Sequence, residues 1–232
     1  DAVGEKGYRQ IDINLGCPFP MIAGKHKGAG MLLYPAQVAE VLAPIAEYPE
    51  IQFSLKMRLG WENASECMVL VELLNTLRLS RIALHARTGK QQYKGHPDLE
   101  AFQGFYELCQ HPLYYNGGIE SLSDIRQILI RFPLLKGVFI GRGLLSSPLL
   151  AKEFKGNETF LPEQRMSIYF AFHEELFSAY SQVLQGETQL LVKMKTLWEY
   201  FLPETDRKLL KRIKKSTRLQ QYTESVKAIF TS

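Results

Sequence analysis

A repeat of strand followed by helix runs along the first part of this 232-residue chain and constrains its fold more than any other feature. Short apolar segments predict the strands, and the longer amphipathic segments between them predict the helices. We predict strands near 10–15, 51–57, 80–85, 112–116 and 137–141. We predict helices near 35–47, 62–78, 97–109 and 121–132. Alternation of this kind is typical of a parallel sheet covered by helices.

The pattern changes near residue 155, beyond which the sequence predicts helices only. Pro162 begins a helical stretch that ends at Gly186, and a second stretch ends before Pro203. Proline favours the first turn of a helix, and glycine often follows the last. We therefore predict an α/β domain over residues 1–154 and a small all-helical domain over residues 155–232.

Composition excludes several classes of protein. Hydrophobic residues make up 46% of the chain, which is enough to bury a sizeable core. Cys17, Cys67 and Cys109 form no CxxC pair, and no apolar run approaches the roughly 18 residues that a membrane helix needs. The histidines have no metal-ligand spacing with one another or with a cysteine. We therefore expect a cytoplasmic protein with no membrane segment and no metal site.

Polar residues and glycines gather where the predicted strands end. Because the carboxyl ends of parallel strands meet at one edge, and barrel enzymes build their active sites there, we predict a TIM (β/α)8-type barrel site. Its candidate residues are Asn14, Cys17, Lys56, His85, Arg87, Asn116, Gly117, Gly118, Gly141 and Arg142.

Cys17 lies between Gly16 and Pro18, which prevent the first strand from continuing, so its thiol is presented at the strand end. An ordinary thiol, with a pKa of about 8.5, is mostly protonated near neutral pH and can donate a proton as a general acid. A nucleophile would need a lowered pKa. Cys67 and Cys109 fall in amphipathic helices, where we interpret them as small buried hydrophobic residues.

The glycines of the last two strand ends permit close approach of a phosphate to backbone N–H groups, and Arg142 adds further donors. Ordinary turns are the alternative interpretation of Gly117, Gly118 and Gly141. Neither a GxxxxGK[ST] nor a GxGxxG motif is present, which disfavours a P-loop or a dinucleotide fold.

Lys56 interrupts an apolar strand, which is costly unless its ammonium group finds a partner or reaches solvent. His85 and Arg87 are two residues apart and so share one face of their strand. A purely structural histidine is the alternative. The basic segment Gly24–Gly30 is either an ordinary loop or a contact for an anionic substrate.

Basic residues are concentrated in one segment, although the whole chain carries a formal charge of only +4. Between Asp206 and Arg218 there are seven lysines or arginines and one acidic residue, which gives +6 locally. An anionic partner is one interpretation. A solvated helix face is the other, because apolar residues at helical spacing show that the segment also packs on something.

Taken in order, these motifs resemble those of the tRNA-dihydrouridine synthases. The matching segments are Asp12 to Pro18, Leu55 to Trp61, His85 to Thr88 with Tyr93 to Gly95, Asn116 to Gly118, and Ile140 to Gly143. The resemblance implies an FMN-containing (β/α)8 barrel followed by a helical tRNA-binding domain.

The resemblance also implies a reaction in which uridine in tRNA is reduced to 5,6-dihydrouridine. NADPH would reduce the flavin, hydride would pass to carbon 6 of the uracil, and Cys17 would protonate carbon 5. The remaining roles follow the family pattern. Lys56 and His85 would contact the flavin ring, Asn116 to Gly118 and Gly141 with Arg142 would bind its phosphate and ribityl chain, Asn14 and Arg87 would lie near flavin or uracil, and Lys208, Lys211 and Arg212 would contact tRNA phosphates.

Family members have three further strands before the first strand of this chain. Because about five of eight strands cannot close a barrel, we expect these 232 residues alone to bind FMN weakly or not at all. Two other functions stay open. One is a different FMN barrel reductase, such as a dihydroorotate dehydrogenase, and the other is a non-catalytic tRNA-binding fragment.

Overall fold

A five-stranded parallel sheet forms the centre of the first of two compact units in a computed structural model, which describes residues 6–231. The strands follow the order of the chain: β1 (Gln10–Leu15), β2 (Gln52–Gly60), β3 (Leu79–Thr88), β4 (Leu113–Asn116) and β5 (Gly137–Phe139). Doubly wound sheets reverse this order at a switch point, whereas barrels keep it. The structure therefore confirms the prediction of an α/β, partial TIM-type architecture.

All five predicted strands are present, and β2 and β3 extend further than expected, to Gly60 and Thr88. The helices of this region are α1 (Pro20–Ala23), α2 (Pro35–Leu42), α3 (Pro44–Glu47), α4 (Glu66–Thr76), α5 (Leu99–Leu108) and α6 (Leu122–Arg131). The single helix expected near 35–47 is wrong, because it is divided at Ala43. Pro44 has no N–H with which to continue the first helix and instead begins the second.

The two faces of the sheet differ in chemistry. Residues paired directly in parallel strands lie on the same face, so Leu15, Met57 and Leu84 form one buried apolar row. Helices α4 and α5 pack on this side and contribute Leu70 and Phe102 to the core. The opposite face carries the polar strand residues, which explains how charged side chains are tolerated inside otherwise apolar strands.

Six helices make up most of the second unit, which comprises residues 120–122 and the described chain from 141 onward. They are α7 (Arg142–Ser146), α8 (Leu150–Gly156), α9 (Pro162–Val183), α10 (Glu187–Leu197), α11 (Arg207–Lys215) and α12 (Leu219–Phe230). Met194, Trp198, Phe201 and Ile213 are among the fully buried residues of its core. The helices expected from Pro162 onward are confirmed, and the domain boundary after residue 154 stays a prediction.

A polar chain crosses the core of this helical unit. His173 is buried, and its Nε2 atom lies 2.7 Å from the Tyr222 hydroxyl, whose oxygen accepts a hydrogen bond of 2.9 Å from Trp198 Nε1. The other ring nitrogen, Nδ1, lies 3.0 Å from a carboxylate oxygen of Glu174. Burial lowers the pKa of His173, and the hydrogen bond to Glu174 opposes this only in part. The neutral ring satisfies all these contacts when Nδ1–H donates to Glu174 and Nε2 accepts from Tyr222.

The lowered pKa of His173 predicts a specific pH dependence of stability. The unfolded chain binds this proton below about pH 6.5, whereas the folded protein binds it only at a lower pH. The free energy of unfolding should therefore be fully retained above pH 6.5 and decline as the pH falls below it. Urea unfolding followed by circular dichroism between pH 7.5 and 5 measures this decline.

The variant His173→Gln should be less stable at pH 7.5 but lose part of the decline below pH 6.5. Exposed His96 provides the control, because His96→Gln should keep both the stability and the pH dependence of the parent. An unchanged pH profile in His173→Gln would contradict this account of the buried ring.

Candidate active site

The strand register brings four of the candidate residues to the polar face near the carboxyl ends of the strands. Asn14 pairs with Lys56 across β1 and β2, and Arg58 pairs with His85 across β2 and β3. His85 in turn pairs with Asn116 on β4. Lys56 and Arg58 are two residues apart on β2, so these two polar rows lie on the same face of the sheet.

Cys17 follows β1 in a tight turn and is half-buried. The backbone N–H of Gly16 donates to the Asn14 side-chain oxygen at 2.9 Å, and the N–H of Ala29 donates to the Cys17 carbonyl at 3.0 Å. Gly28 has a φ of +54° and packs so closely that a Cβ atom there would lie 2.8 Å from Cys17 Cβ. Only glycine suits this position, so the cysteine turn is held from both sides.

Arg58 connects this turn to the loop after β3 and was not among the predicted site residues. Its side chain is fully buried, and Nε donates to the Gly16 carbonyl at 3.0 Å. Nη1 donates to the carbonyls of Thr88, at 2.8 Å, and Gln92, at 2.7 Å. Burial lowers the pKa of Arg58, but a guanidinium stays charged in proteins. An arginine two residues after Lys56 in an apolar strand was the signal that could have identified it.

Lys56 is half-buried on the same face as Arg58. Burial lowers the pKa of Lys56, the positive charge of Arg58 lowers it further, and Asp12 opposes both effects. Two cations side by side in a partly desolvated place favour an anionic or electron-rich ligand, because such a ligand would relieve both the burial and the repulsion.

His85 is buried and in contact with Arg87, as expected for residues two apart on one strand face. Arg87 Nη1 lies 3.2 Å from His85 Nε2, and Arg87 Nε and Nη2 both donate to the Gly95 carbonyl, at 3.2 and 3.0 Å. Since a guanidinium can only donate, this contact makes Nε2 the acceptor and assigns the ring proton to Nδ1. Arg87 thus orients His85 and fixes the loop that contains Gly95.

The Asn116 side chain donates to the Phe139 carbonyl at 2.8 Å and so links β4 to β5. Gly118, at a φ of +61°, packs against Pro97, where a Cβ atom would lie 2.9 Å from the proline ring. Gly117 and Gly118 contribute to a pocket of about 340 Å³, which is also lined by His96, Asp124 and Arg131. The glycines are therefore required by close packing, and they also border a cavity.

Gly141 and Arg142 belong to the second unit, where Gly141 precedes α7 and Arg142 begins it. The Leu144 N–H donates to the Gly141 carbonyl at 3.1 Å. Their expected partnership with Asn116 to Gly118 around one phosphate stays a prediction.

The basic segment forms α11, which packs on one side as expected, while its anionic partner stays a prediction. Asp206 caps the helix by accepting from the backbone N–H groups of Lys208, at 2.8 Å, and Leu209, at 3.2 Å. Ile213 is buried in the core, so one side of the helix packs. The other side lines a pocket of about 420 Å³, which we call the basic pocket; it is bordered by Lys208, Lys211, Arg212, Lys215, Ser216, Gln221, Glu224 and Ser225.

Lys195, on the neighbouring helix α10, donates to the carbonyl of Ser216 at the end of α11. A cation at a helix carboxyl terminus is favoured by the helix dipole. This contact helps to fix the helix that carries the basic pocket.

Two further kinds of feature were absent from the described part of the chain. Within residues 6–231, no helix is long and apolar enough to cross a membrane. The same residues contain no group of three or more histidine, cysteine or acidic side chains placed to hold a metal ion.

A parallel sheet whose strands follow the order of the chain and end in polar residues is typical of the (β/α)-barrel fold. Within that class, the family model described as "Dihydrouridine synthase (Dus)" matches residues 1–231. The chain belongs to the dihydrouridine synthase family.

Similar proteins include tRNA-dihydrouridine synthase B of Vibrio vulnificus (strain CMCP6), 28% identical over 163 residues, which are 68% of this chain and 50% of that protein. The protein of the same name from Vibrio cholerae serotype O1 is 28% identical over 167 residues, 70% of this chain and 52% of its own. A "Probable tRNA-dihydrouridine synthase" of Rhizobium leguminosarum bv. phaseoli is 32% identical over 145 residues, which are 62% of this chain and 45% of that protein. The chain spans about half the length of the curated relatives it matches.

Removal of the Arg58 guanidinium should destabilise the first unit. The variant Arg58→Met leaves three carbonyl groups without their charged donor, and we expect a loss of at least about 2 kcal/mol in the free energy of unfolding. Arg81 provides a matched control from the neighbouring strand, because it is half-exposed and lies 4.0 Å from Asp12. Arg81→Met should cost at most about 1 kcal/mol. Equal losses in the free energy of unfolding for the two variants, measured by urea unfolding, would contradict this role for Arg58.

Proposed function

We propose that this protein is a tRNA-dihydrouridine synthase that reduces uridine in tRNA to 5,6-dihydrouridine, with FMN as cofactor and NADPH as reductant. The observation that carries the proposal is the placement of Cys17, Lys56 and His85 around one strand-end edge in a chain of the dihydrouridine synthase family. The names of the similar proteins support the same reaction.

The residues at this edge fit a flavin ring, which has a rim of carbonyl oxygens and ring nitrogens. Lys56 supplies a half-buried ammonium group, and His85 supplies a ring oriented by Arg87 with its proton on Nδ1. When bound, FMN would supply the hydride for the reaction. Lys56 would hold positive charge beside the ring and so favour its reduced, electron-rich form. Asn116 to Gly118, together with Gly141 and Arg142, would hold the phosphate and ribityl chain.

Cys17 would donate the proton. Its Sγ–H bond breaks as the proton passes to carbon 5 of the uracil, while hydride arrives at carbon 6, so the carbon–carbon double bond is reduced by one hydride and one proton. Arg58, whose Nε donates to the Gly16 carbonyl at 3.0 Å, would hold the turn that positions this thiol. Asn14 shapes the turn before Cys17 and would border the uracil with Arg87.

The basic pocket would bind phosphates of the tRNA through Lys208, Lys211 and Arg212. Phosphate contacts supply affinity and orientation but do not identify the base. The target uridine must leave its stack to reach a strand-end site, as in other enzymes that act on a base within a nucleic acid.

We place this activity in the cytoplasm, where tRNA is available. The basic pocket favours tRNA over the free pyrimidine that a dihydroorotate dehydrogenase would use.

Loss of the thiol should remove product formation without removing the flavin chemistry. For the intact polypeptide loaded with FMN, Cys17→Ala should lower the rate of dihydrouridine formation in unmodified tRNA at least about 100-fold, the usual contribution of a general acid. NADPH should still reduce the flavin at the parent rate. Mass spectrometry of the tRNA nucleosides and the flavin absorbance measure the two steps.

Cys109→Ala is the matched control, because Cys109 is also half-buried but follows α5 and lies outside the site. It should keep full activity. Dihydrouridine formed at the parent rate by Cys17→Ala would refute the acid role. Normal NADPH oxidation would exclude the alternative of a non-catalytic tRNA-binding fragment.

Variants of two lysines on α11 can distinguish phosphate binding in the basic pocket from a general effect of positive charge on tRNA binding. Lys211 lines the basic pocket, whereas Lys214 is exposed on the same helix and does not line it. Lys211→Gln should weaken tRNA binding several-fold and reduce the slope of log K against log salt by about one. Lys214→Gln should change both much less. Equal effects in fluorescence anisotropy titrations would show that only the overall charge of the helix matters.

A further inference from the structure

The segment Phe19–Lys27, which we call the Phe19 loop, leaves the chain just after Cys17 and returns to it. The hydrogen bond from Ala29 N–H to the Cys17 carbonyl and the close contact of Gly28 with Cys17 close the loop at its base. Inside it, the N–H groups of Ile22 and Ala23 both donate to the Phe19 carbonyl at 2.9 Å. The position of the loop relative to the thiol is therefore fixed by its own backbone contacts.

The tip of the Phe19 loop exposes large apolar side chains. Phe19 is 66% exposed and Met21 is 82% exposed, and Ile22 beside them is 40% exposed. Single exposed apolar residues are common and need no functional explanation, but a contiguous group next to a reactive site indicates a surface that contacts a ligand.

The charge around this apolar tip indicates what the ligand is. Lys25, His26 and Lys27 are exposed in the same loop, and no acidic residue occurs between Asp12 and Glu40. His26 is stacked on Tyr34 with ring centroids 4.2 Å apart, which adds an aromatic surface. Apolar and aromatic groups surrounded by positive charge match a nucleic acid, in which flat bases alternate with phosphates.

We propose that the Phe19 loop is a stacking wedge that occupies the space left by the target uridine when that base leaves its stack. Phe19 would stack on the neighbouring base, Met21 would widen the contact, and Lys25 and Lys27 would bind the flanking phosphates. Insertion of an apolar side chain between bases is an established way to compensate for lost stacking. The inference rests on the proposed function, because it assigns the loop to the same reaction.

The test uses FMN-loaded protein and two substrates: an unmodified, folded tRNA transcript and an unstructured uridine-containing oligonucleotide whose bases are already unstacked. Phe19→Ala should lower kcat/KM on the folded tRNA about ten-fold or more, the effect of one lost base–aromatic stack. It should change kcat/KM on the oligonucleotide less than two-fold, and Phe19→Trp should restore activity on the tRNA. Ile130 is 80% exposed on α6, so Ile130→Ala is the control and should act like the parent.

A second measurement reports on stacking without catalysis. A transcript with 2-aminopurine beside the mapped target uridine should keep its fluorescence quenched on binding the parent and Phe19→Trp, because the aromatic ring replaces the lost stack, whereas the fluorescence should rise on binding Phe19→Ala. The proposal would be overturned if Phe19→Ala lowered kcat/KM equally on both substrates. It would also be overturned if Phe19→Ala kept the activity and the fluorescence quenching of the parent. A Phe19→Ala variant that affects only thermal stability would overturn it too and would indicate a protein contact at the loop.

If the parent forms no dihydrouridine in any RNA, the proposed function fails. The fluorescence measurement then still decides whether Phe19 stacks on a base.

Discussion

The candidate site depends on one buried cation, the guanidinium of Arg58. Three backbone carbonyls from two loops accept hydrogen bonds from it: Gly16, just before the cysteine, and Thr88 and Gln92, at and beyond the end of β3. The planar fork of arginine suits this arrangement, because its donors are held in a fixed geometry that a lysine cannot reproduce. A buried carbonyl that loses its donor destabilises the folded state, so the hydrogen bonds of Arg58 hold the two loops together.

The rest of the site follows from the two faces of the parallel sheet. Apolar residues at alternate positions pack under the helices, and this leaves the intervening positions to Asn14, Lys56, Arg58, His85 and Asn116. Several of these side chains are oriented by a further contact: Arg58 donates to loop carbonyls, Asn116 to the Phe139 carbonyl, and Arg87 to His85. The nearby Asp12 opposes the effect of burial and of Arg58 on the pKa of Lys56, and backbone carbonyls accept hydrogen bonds from Arg58.

Much of this arrangement could be predicted from the sequence, because it depends on local patterns. Apolar periodicity located all five strands, and the strand-end pattern placed Asn14, Lys56 and His85 on one face of the sheet. The contacts that complete the site could not be predicted, because they join residues far apart in the chain. Arg58 reaches Gly16 across 42 positions, and Gly28 folds back onto Cys17. The basic pocket needed two helices, of which only α11 carries a charge signal. Pro44 in the sequence indicated a helix break, but a single helix near 35–47 was predicted.

The central claim is that Arg58 holds the Cys17 thiol where it can donate its proton. The most direct measurement is the rate at which saturating tRNA reoxidises the prereduced flavin of Arg58→Lys in a single turnover. A lysine keeps the charge but cannot hold both loops, and a small displacement of a reacting group can cost about 100-fold. We expect this variant to bind FMN and tRNA like the parent and its flavin to be reoxidised about 100-fold more slowly. Reoxidation at the parent rate would contradict it.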